Sequence, residues 1–165
     1  MNCTIRTMTR EDAPHVIEMM RVFYASPAVL SNGSEEIFQN DVENCVNDSP
    51  YLEGYIIEGT LEPMDESAHT KVGKGMSRTE NEILGYGMVA KSFSTEFGKP
   101  CMWIEDLYLK ENARGLGLGS KFLNFVAEKY PEAILRLEVE EENERAIKTY
   151  RKCGFEELPY MEMKR

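Results

Sequence analysis

Apolar residues recur along the chain in short blocks whose spacing switches between two and about 3.6, which predicts alternating strands and helices. Cys3, Ile5 and Thr7 stand at every second position, as in a half-buried first strand. Val16, Ile17, Met20, Phe23 and Tyr24 then fall at helical spacing. They give one core-facing stripe, with Thr9 as N-cap, Glu11 and Asp12 in the first turn, and Pro27 as the stop. Ser34 opens a second helix that buries Ile37, Phe38, Val42, Cys45 and Val46 and ends before Pro50. Residues 51–57 and 82–91 are rich in β-branched and aromatic side chains and read as strands. The turn Phe97-Gly98-Lys99-Pro100 leads into a strand over 101–109. A helix over 121–130 buries Phe122, Leu123, Phe125 and Val126, and Tyr130-Pro131 ends it. A strand over 134–139 follows, then a helix from its cap Asn143 to about Cys153, with Ala146, Ile147 and Tyr150 on its apolar face and Gly154 at its end. Residues 155–163 are expected to form a last strand.

This order implies an α/β domain spanning residues 1–165. The unit from residue 101 to 139 requires a right-handed crossover between parallel strands, with a ligand site at the carboxyl end of the first. The segment 58–81 is too polar to bury and is expected to be an extended loop insert. Its Lys71, Lys74 and Arg78 either touch a phosphate or belong to a solvated loop.

Arg114-Gly115-Leu116-Gly117-Leu118-Gly119-Ser120 stands between the 101–109 strand and the 121–130 helix. Three alternate glycines permit close approach and positive φ and leave backbone N–H groups free to point one way. The helix that follows adds its unpaired donors, so the stretch reads either as a cradle for a phosphate or pyrophosphate, with Arg114 at the rim, or as an ordinary tight turn. Two familiar phosphate loops do not fit. Counting back five from Gly119 lands on Arg114 where a Walker loop needs glycine, and the sixth position from Gly115 is Ser120 where a dinucleotide fingerprint needs one. Upstream, Glu105 and Asp106 sit side by side inside an apolar strand. At least one of them must face the core or a cleft, so the pair is either a polar network or a working site, and the neighbouring cradle favours a cleft lined by Glu105.

Charge and cysteines narrow the partners. Lysine and arginine number 19 against 29 aspartates and glutamates, a net charge of −10. That balance disfavours nucleic acid and anionic membrane; it either draws a cationic substrate or serves solubility. Cys3, Cys45, Cys101 and Cys153 lie far apart, with only His15 and His69 to join them, so the expectation is reduced thiols and no metal. Without a membrane-length apolar run or a basic leader with an apolar core, a cytoplasmic location is expected.

Arg114, Gly117 and Gly119 in the spacing Arg-x-x-Gly-x-Gly, with Leu109 five residues upstream, resemble the acetyl-CoA loop of the GNAT acetyltransferase superfamily. Asn143, Ala146, Tyr150, Gly154 and Phe155 match that family's downstream pattern Asn-x-x-Ala-x-x-x-Tyr-x-x-x-Gly-Phe, so the resemblance covers residues 101–155. Residues 103–120 look most like the diamine and polyamine (spermidine/spermine) branch, in which a Glu-Asp pair precedes Leu/Phe-aromatic-Val and the loop ends in Ser; Phe93-Ser94-Thr95-Glu96-Phe97-Gly98 also resembles it.

The resemblance implies a mixed, strongly twisted sheet with helices on both faces and splayed central strands. It also implies transfer from acetyl-CoA, as co-substrate, to a primary amine within a ternary complex. Leu107, Tyr108 and Leu109 would meet the pantetheine through main chain. Arg114, Gly115, Leu116, Gly117, Leu118, Gly119 and Ser120 would hold the pyrophosphate. Ala146 would line the cofactor site, and Asn143 would contact the pantetheine arm or its neighbours, unless it is merely a cap; both roles can coexist. Glu105, beside Asp106, would face the acceptor ammonium and accept its proton, directly or through water, and Tyr150, unless it is a core aromatic, would protonate the leaving thiolate. A homodimer is common in that family. Three readings stand: a small-amine or polyamine acetyltransferase, an acetyltransferase for a protein N-terminus, lysine, amino acid or aminoglycoside, and a non-catalytic acyl-CoA sensor.

Overall fold

The structure, a computed structural model, describes residues 2–61, 81–161 and 163–165. In chain order the elements are β1 (Asn2–Thr7), a 3-10 turn (Arg10–Asp12), α1 (Ala13–Tyr24), α2 (Glu35–Val46), β2 (Leu52–Thr60), β3 (Glu82–Ser94), β4 (Lys99–Leu109), a second 3-10 turn (Glu111–Ala113), α3 (Leu118–Lys129), β5 (Ile134–Leu137) and α4 (Glu144–Lys152). The strands form one sheet in the order β1-β2-β3-β4-β5. The first three pairings are antiparallel and the last is parallel. This is the mixed α/β sheet with helices on both faces that the sequence predicts.

Each face has its own core. On one, α1 and α2 bring Val16, Met19, Met20, Phe38, Val42 and Cys45 against Ile56, Tyr86, Met88 and Tyr108. On the other, α3 packs Leu118, Phe122, Leu123 and Val126 on Tyr55, Ile57, Val89, Met102 and Ile104. Close approach is bought with bare backbone: a Cβ on Gly87 would lie 2.3 Å from Phe122 Cζ, and one on Gly54 2.6 Å from Cys45 Cβ. Beneath α3, Glu53 accepts hydrogen bonds from Lys129, Tyr55 and Tyr130, tying β2 to the helix's end.

Two features of β4 shape the site. First, β5 pairs only with residues 101–104, so among the described residues β4 continues without a partner on that side from Glu105 to Leu109. This is where the central strands part. Second, Met88 of β3 faces Asp106 while Val89 faces Ile104, so Glu105 is an extra residue in β4. Such a bulge resets the alternation of a strand. Ile104 therefore points to the α3 core, whereas Asp106 and Tyr108 point to the α1–α2 side.

Elsewhere the boundaries differ from expectation. β2 runs on to Thr60 and β3 to Ser94, so the start of the 58–81 segment is strand; residues 62–80 of that expected insert, with Lys71, Lys74 and Arg78, lie outside the described residues. Ile37, expected to be buried, is 49% exposed, because α2 covers the sheet through Phe38, Val42 and Cys45, with Val46 packed at their edge. α1 opens through a 3-10 turn pinned by Asp12, which accepts hydrogen bonds from Arg6 at 2.7 and 2.8 Å and from Thr9 N at 2.8 Å. No strand forms over the described part of 155–163, where Leu158, Tyr160, Met161 and Met163 are exposed. Pro159 lacks the N–H a ladder needs, and the segment's one described long-range bond is from Tyr160 Oη to Glu96 Oε1 at 2.9 Å.

Candidate active site

The glycine stretch supplies one wall. The chain leaves β4 through the second 3-10 turn, and Gly115 and Gly117 take φ of 83° and 79°, left-handed values that favour glycine. Gly117 is the N-cap of α3, whose first intrahelical donor is the Lys121 N–H to Gly117 O at 3.0 Å. The N–H groups of Leu118, Gly119 and Ser120 therefore have no helical acceptor and sit at the positive end of the helix dipole. Free donors of this kind at a helix N-terminus form a cradle able to accept an anion. Arg114 turns back on the strand: its Nε donates to Leu109 O at 2.9 Å, and its guanidinium carbon lies 5.7 Å from the centre of the Tyr108 ring.

The cradle opens into a cavity of about 640 Å³. Leu107, Tyr108 and Leu109 line it where β4 runs past the end of β5, joined by Arg114, Gly115, Gly117, Leu118, Gly119 and Ser120. From α4 come Asn143, Ala146 and Tyr150. Asn143 Oδ1 accepts from the Ala146 N–H at 3.2 Å, so the expected cap is present. Tyr150 packs on the α3-side core, its ring 6.1 Å from Phe155, and burial pushes its hydroxyl pKa up, so the phenol is protonated across the neutral range. Leu116 is 47% exposed and is not part of the lining.

Glu105 and Asp106 are placed differently from one another and do not line this cavity. Glu105, the bulge residue, is exposed, whereas Asp106 is 5% exposed and accepts hydrogen bonds from Tyr86 Oη at 2.8 Å and Tyr24 Oη at 3.2 Å. The Asp106 carboxyl is raised to about 6, chiefly by burial and in part by the charges of Asp41 and Glu105, against the two tyrosine hydroxyls that hold it down. Asp41, on α2, is itself raised by burial. Tyr108 and Phe23, which do line the cavity, stand between it and this acidic group: Tyr108 packs 6.0 Å from Tyr86, and Phe23 5.6 Å from Tyr24.

Sequence reasoning missed two groups of lining residues. Arg145, Thr149 and Lys152 share the cavity face of α4 with Ala146 and Tyr150, and the helical period from Asn143 carries that signal. Val22, Phe23, Ser26, Pro27 and Ala28 close the opposite wall from the end of α1. No motif marks them; Phe23 reads as core by its spacing. Among the described residues no cluster of histidine, cysteine or acidic side chains has the arrangement of a metal site, and no helix is long and apolar enough to cross a membrane.

The cradle suits a diphosphate, and the unpaired edge of β4 beside it suits an extended chain with amide groups; together they fit the pyrophosphate and pantetheine of coenzyme A.

Comparisons with known proteins agree with this fit. The sequence model of the Acetyltransferase (GNAT) family matches residues 36–155. Thialysine N-epsilon-acetyltransferase of Bos taurus is 38% identical over 79 residues, 46% of this chain and 46% of that protein. The chain thus spans about half the length of the curated relatives it matches. Among solved structures, a possible acetyltransferase from Clostridium difficile 630 aligns with a TM-score of 0.73 over 99% of this chain and 96% of that one, at 15% identity. AAC(6')-Iy, in complex with the bisubstrate analog CoA-S-monomethyl-acetylneamine, aligns with a TM-score of 0.67 over 100% and 98%, at 14% identity. At those identities the structural likenesses show the fold alone.

Proposed function

The chain belongs to the GNAT acetyltransferase family, and from that premise we propose that it transfers an acetyl group from acetyl-CoA to a primary amine of a small cationic molecule, a diamine or polyamine being the favoured class. The observation that supports this reading is the meeting of three parts in one cavity: the cradle at residues 114–120, the unpaired stretch of β4, and Tyr150. The domain is read as a single unit over residues 1–165.

In this reading the N–H groups of Leu118, Gly119 and Ser120 hold the pyrophosphate, and the main chain of Leu107, Tyr108 and Leu109 extends a ladder to the pantetheine amides, with Asn143 and Ala146 alongside. The thioester supplies the acyl group. Glu105 holds the acceptor ammonium and takes its proton, directly or through one water, because only the neutral amine can attack. The C–N bond forms as the C–S bond breaks, and Tyr150 gives its proton to the departing sulfur. Tyr150 suits that role because its hydroxyl stays protonated across the neutral range.

The acceptor class rests on charge. The charges of Asp41 and Glu105 both push the buried Asp106 carboxyl up, so acidic groups gather on this side of Tyr108. A gathering of acids of this kind favours a cation. The likeness to a thialysine N-epsilon-acetyltransferase, a protein named for acetylating an amine, adds support. The test is thiol release from acetyl-CoA by the purified chain against diamines, polyamines, amino acids, aminoglycosides and a peptide N-terminus. Selective turnover of di- or polyamines is the expected result. Turnover of another acceptor alone would discard the acceptor class, and CoA binding with no turnover of any acceptor would favour a sensor.

A further inference from the structure

We infer that Arg145, on α4, is the side chain that supplies the positive charge to the diphosphate at the glycine loop, while Arg114 positions the loop. The inference rests on the acetyl-CoA reading above and goes beyond it by naming a residue outside the loop. Arg114 is engaged: its Nε donates to Leu109 O at 2.9 Å and its guanidinium lies against the Tyr108 ring, which staples the start of the loop to the end of β4. Arg145 is differently placed. It lines the cavity, and its Nη2 lies 3.2 Å from where a Cβ on Gly115 would stand, against the bare backbone of the loop. Among the described residues none forms a hydrogen bond or ion pair with its guanidinium.

Acids outnumber bases by 29 to 19 in the whole chain, and Arg6, Arg21, Arg136 and Arg151 each pair with a carboxylate, whereas the Arg145 guanidinium has no such partner among the described residues. Its planar fork matches two phosphate oxygens at once, which a lone ammonium does not. Its position is set by the fold. The Asn143 cap starts α4 two residues earlier, and Thr149 Oγ1 donates to Arg145 O at 3.1 Å one turn on, so the helix holds the side chain's root beside the loop. Gly115 then has two reasons to lack a side chain: its φ of 83°, and the room Arg145 takes.

The test measures CoA binding by calorimetry and acetyl transfer by thiol release, for the native chain and for Arg145→Met and Arg145→Lys. The donors are acetyl-CoA, its 3′-dephospho form and acetyl-pantetheine, which lacks the diphosphate. Arg145→Met should weaken CoA and 3′-dephospho-CoA alike by about ten- to a hundred-fold, the range for a charge-assisted hydrogen bond. It should leave the KM for acetyl-pantetheine and the Tm unchanged, with partial recovery in Arg145→Lys. Unchanged CoA affinity, a loss that vanishes with 3′-dephospho-CoA, or an equal loss on acetyl-pantetheine would each overturn the assignment. Failure of the native chain to bind CoA would instead overturn the reading on which it rests.

Discussion

The end of the cavity at the glycine loop is built from main chain, whereas the region beyond Tyr108 and Phe23 is built from side chains. At the loop, positive φ at Gly115 and Gly117 and the open first turn of α3 present N–H groups whose direction the fold sets. Beyond Tyr108, Asp106, Tyr24 and Tyr86 come from three elements and meet only because those elements pack. A main-chain site fixes where a ligand common to a whole family lies. A side-chain site can change its ligand by substitution without disturbing the backbone, and this is where acceptor preference is expected to reside.

The sharpest way to separate the two is at their junction. Tyr150→Phe removes the proposed acid and leaves the packing against Phe155. Turnover should fall by about 10²- to 10⁴-fold with CoA affinity unchanged. A variant with native turnover would take Tyr150 out of the chemistry and reduce it to a wall of the cavity. Glu105→Gln should act on one side of the comparison only. It should lower kcat/KM for a diamine by about ten- to a hundred-fold, as expected for losing a hydrogen bond to a charged group, and affect an arylamine, neutral at the assay pH, much less. Equal losses on both would assign Glu105 to holding the bulge.

Gly117→Ala probes the main-chain side. Nothing lies within 4 Å of the added Cβ, so the change tests conformation without a clash. Holding alanine at a φ of 79° costs about 1–2 kcal/mol; as the free loop relaxes to escape that strain and CoA restores it, CoA affinity should fall by about five- to thirty-fold, equally for every acceptor. A loss that varied with acceptor would break the division of labour drawn above.

The same division explains what the sequence could disclose. Glycines at 115, 117 and 119 were legible once Arg114 and Leu109 stood at their fixed distances, because the whole pattern lies within one short stretch, and the Asn143 cap was legible for the same local reason. The acid pair was legible as a conflict but not as a geometry. Plain alternation would put residues 104, 106 and 108 on one face; the extra residue at Glu105 sends Ile104 to one core and Asp106 to the other, and pairing with β3 decides where that extra residue falls. The contribution of Phe23 and Ala28 was hidden because a cavity wall and a core position share one spacing. The expected last strand failed for a related reason: short apolar runs read as strand, but Tyr160, Met161 and Met163 remain exposed and no described partner pairs with them.

The last predicted effect bears on stability rather than turnover and is the one most specific to the side-chain region. Burial lifts the Asp106 carboxyl from its ordinary 3.8 to about 6, so between those values the folded chain holds a proton that the unfolded chain has lost. Stability from this group is therefore fully present below about pH 3.8 and is lost as pH rises through about 6. The sign is opposite for Asp12, which the hydrogen bond from Arg6 holds down to about 2: its contribution is present above pH 3.8 and lost as pH falls toward 2. The two windows do not overlap, but Asp41 shares the sign of Asp106 and Glu53 that of Asp12, so in urea unfolding at pH 4, 5, 6 and 7 the part due to Asp106 is the difference between the native chain and Asp106→Asn. Asp106→Asn should remove a decline of about 1–3 kcal/mol across that range. Asp41→Asn takes away a charge that pushes Asp106 upward and should shift the midpoint of the decline to lower pH. A native chain whose stability is flat from pH 4 to 7 would show that Tyr24 and Tyr86 offset the burial of Asp106 in full. The acidic region would then be a satisfied polar network, and the argument that its charge selects a cation would fall.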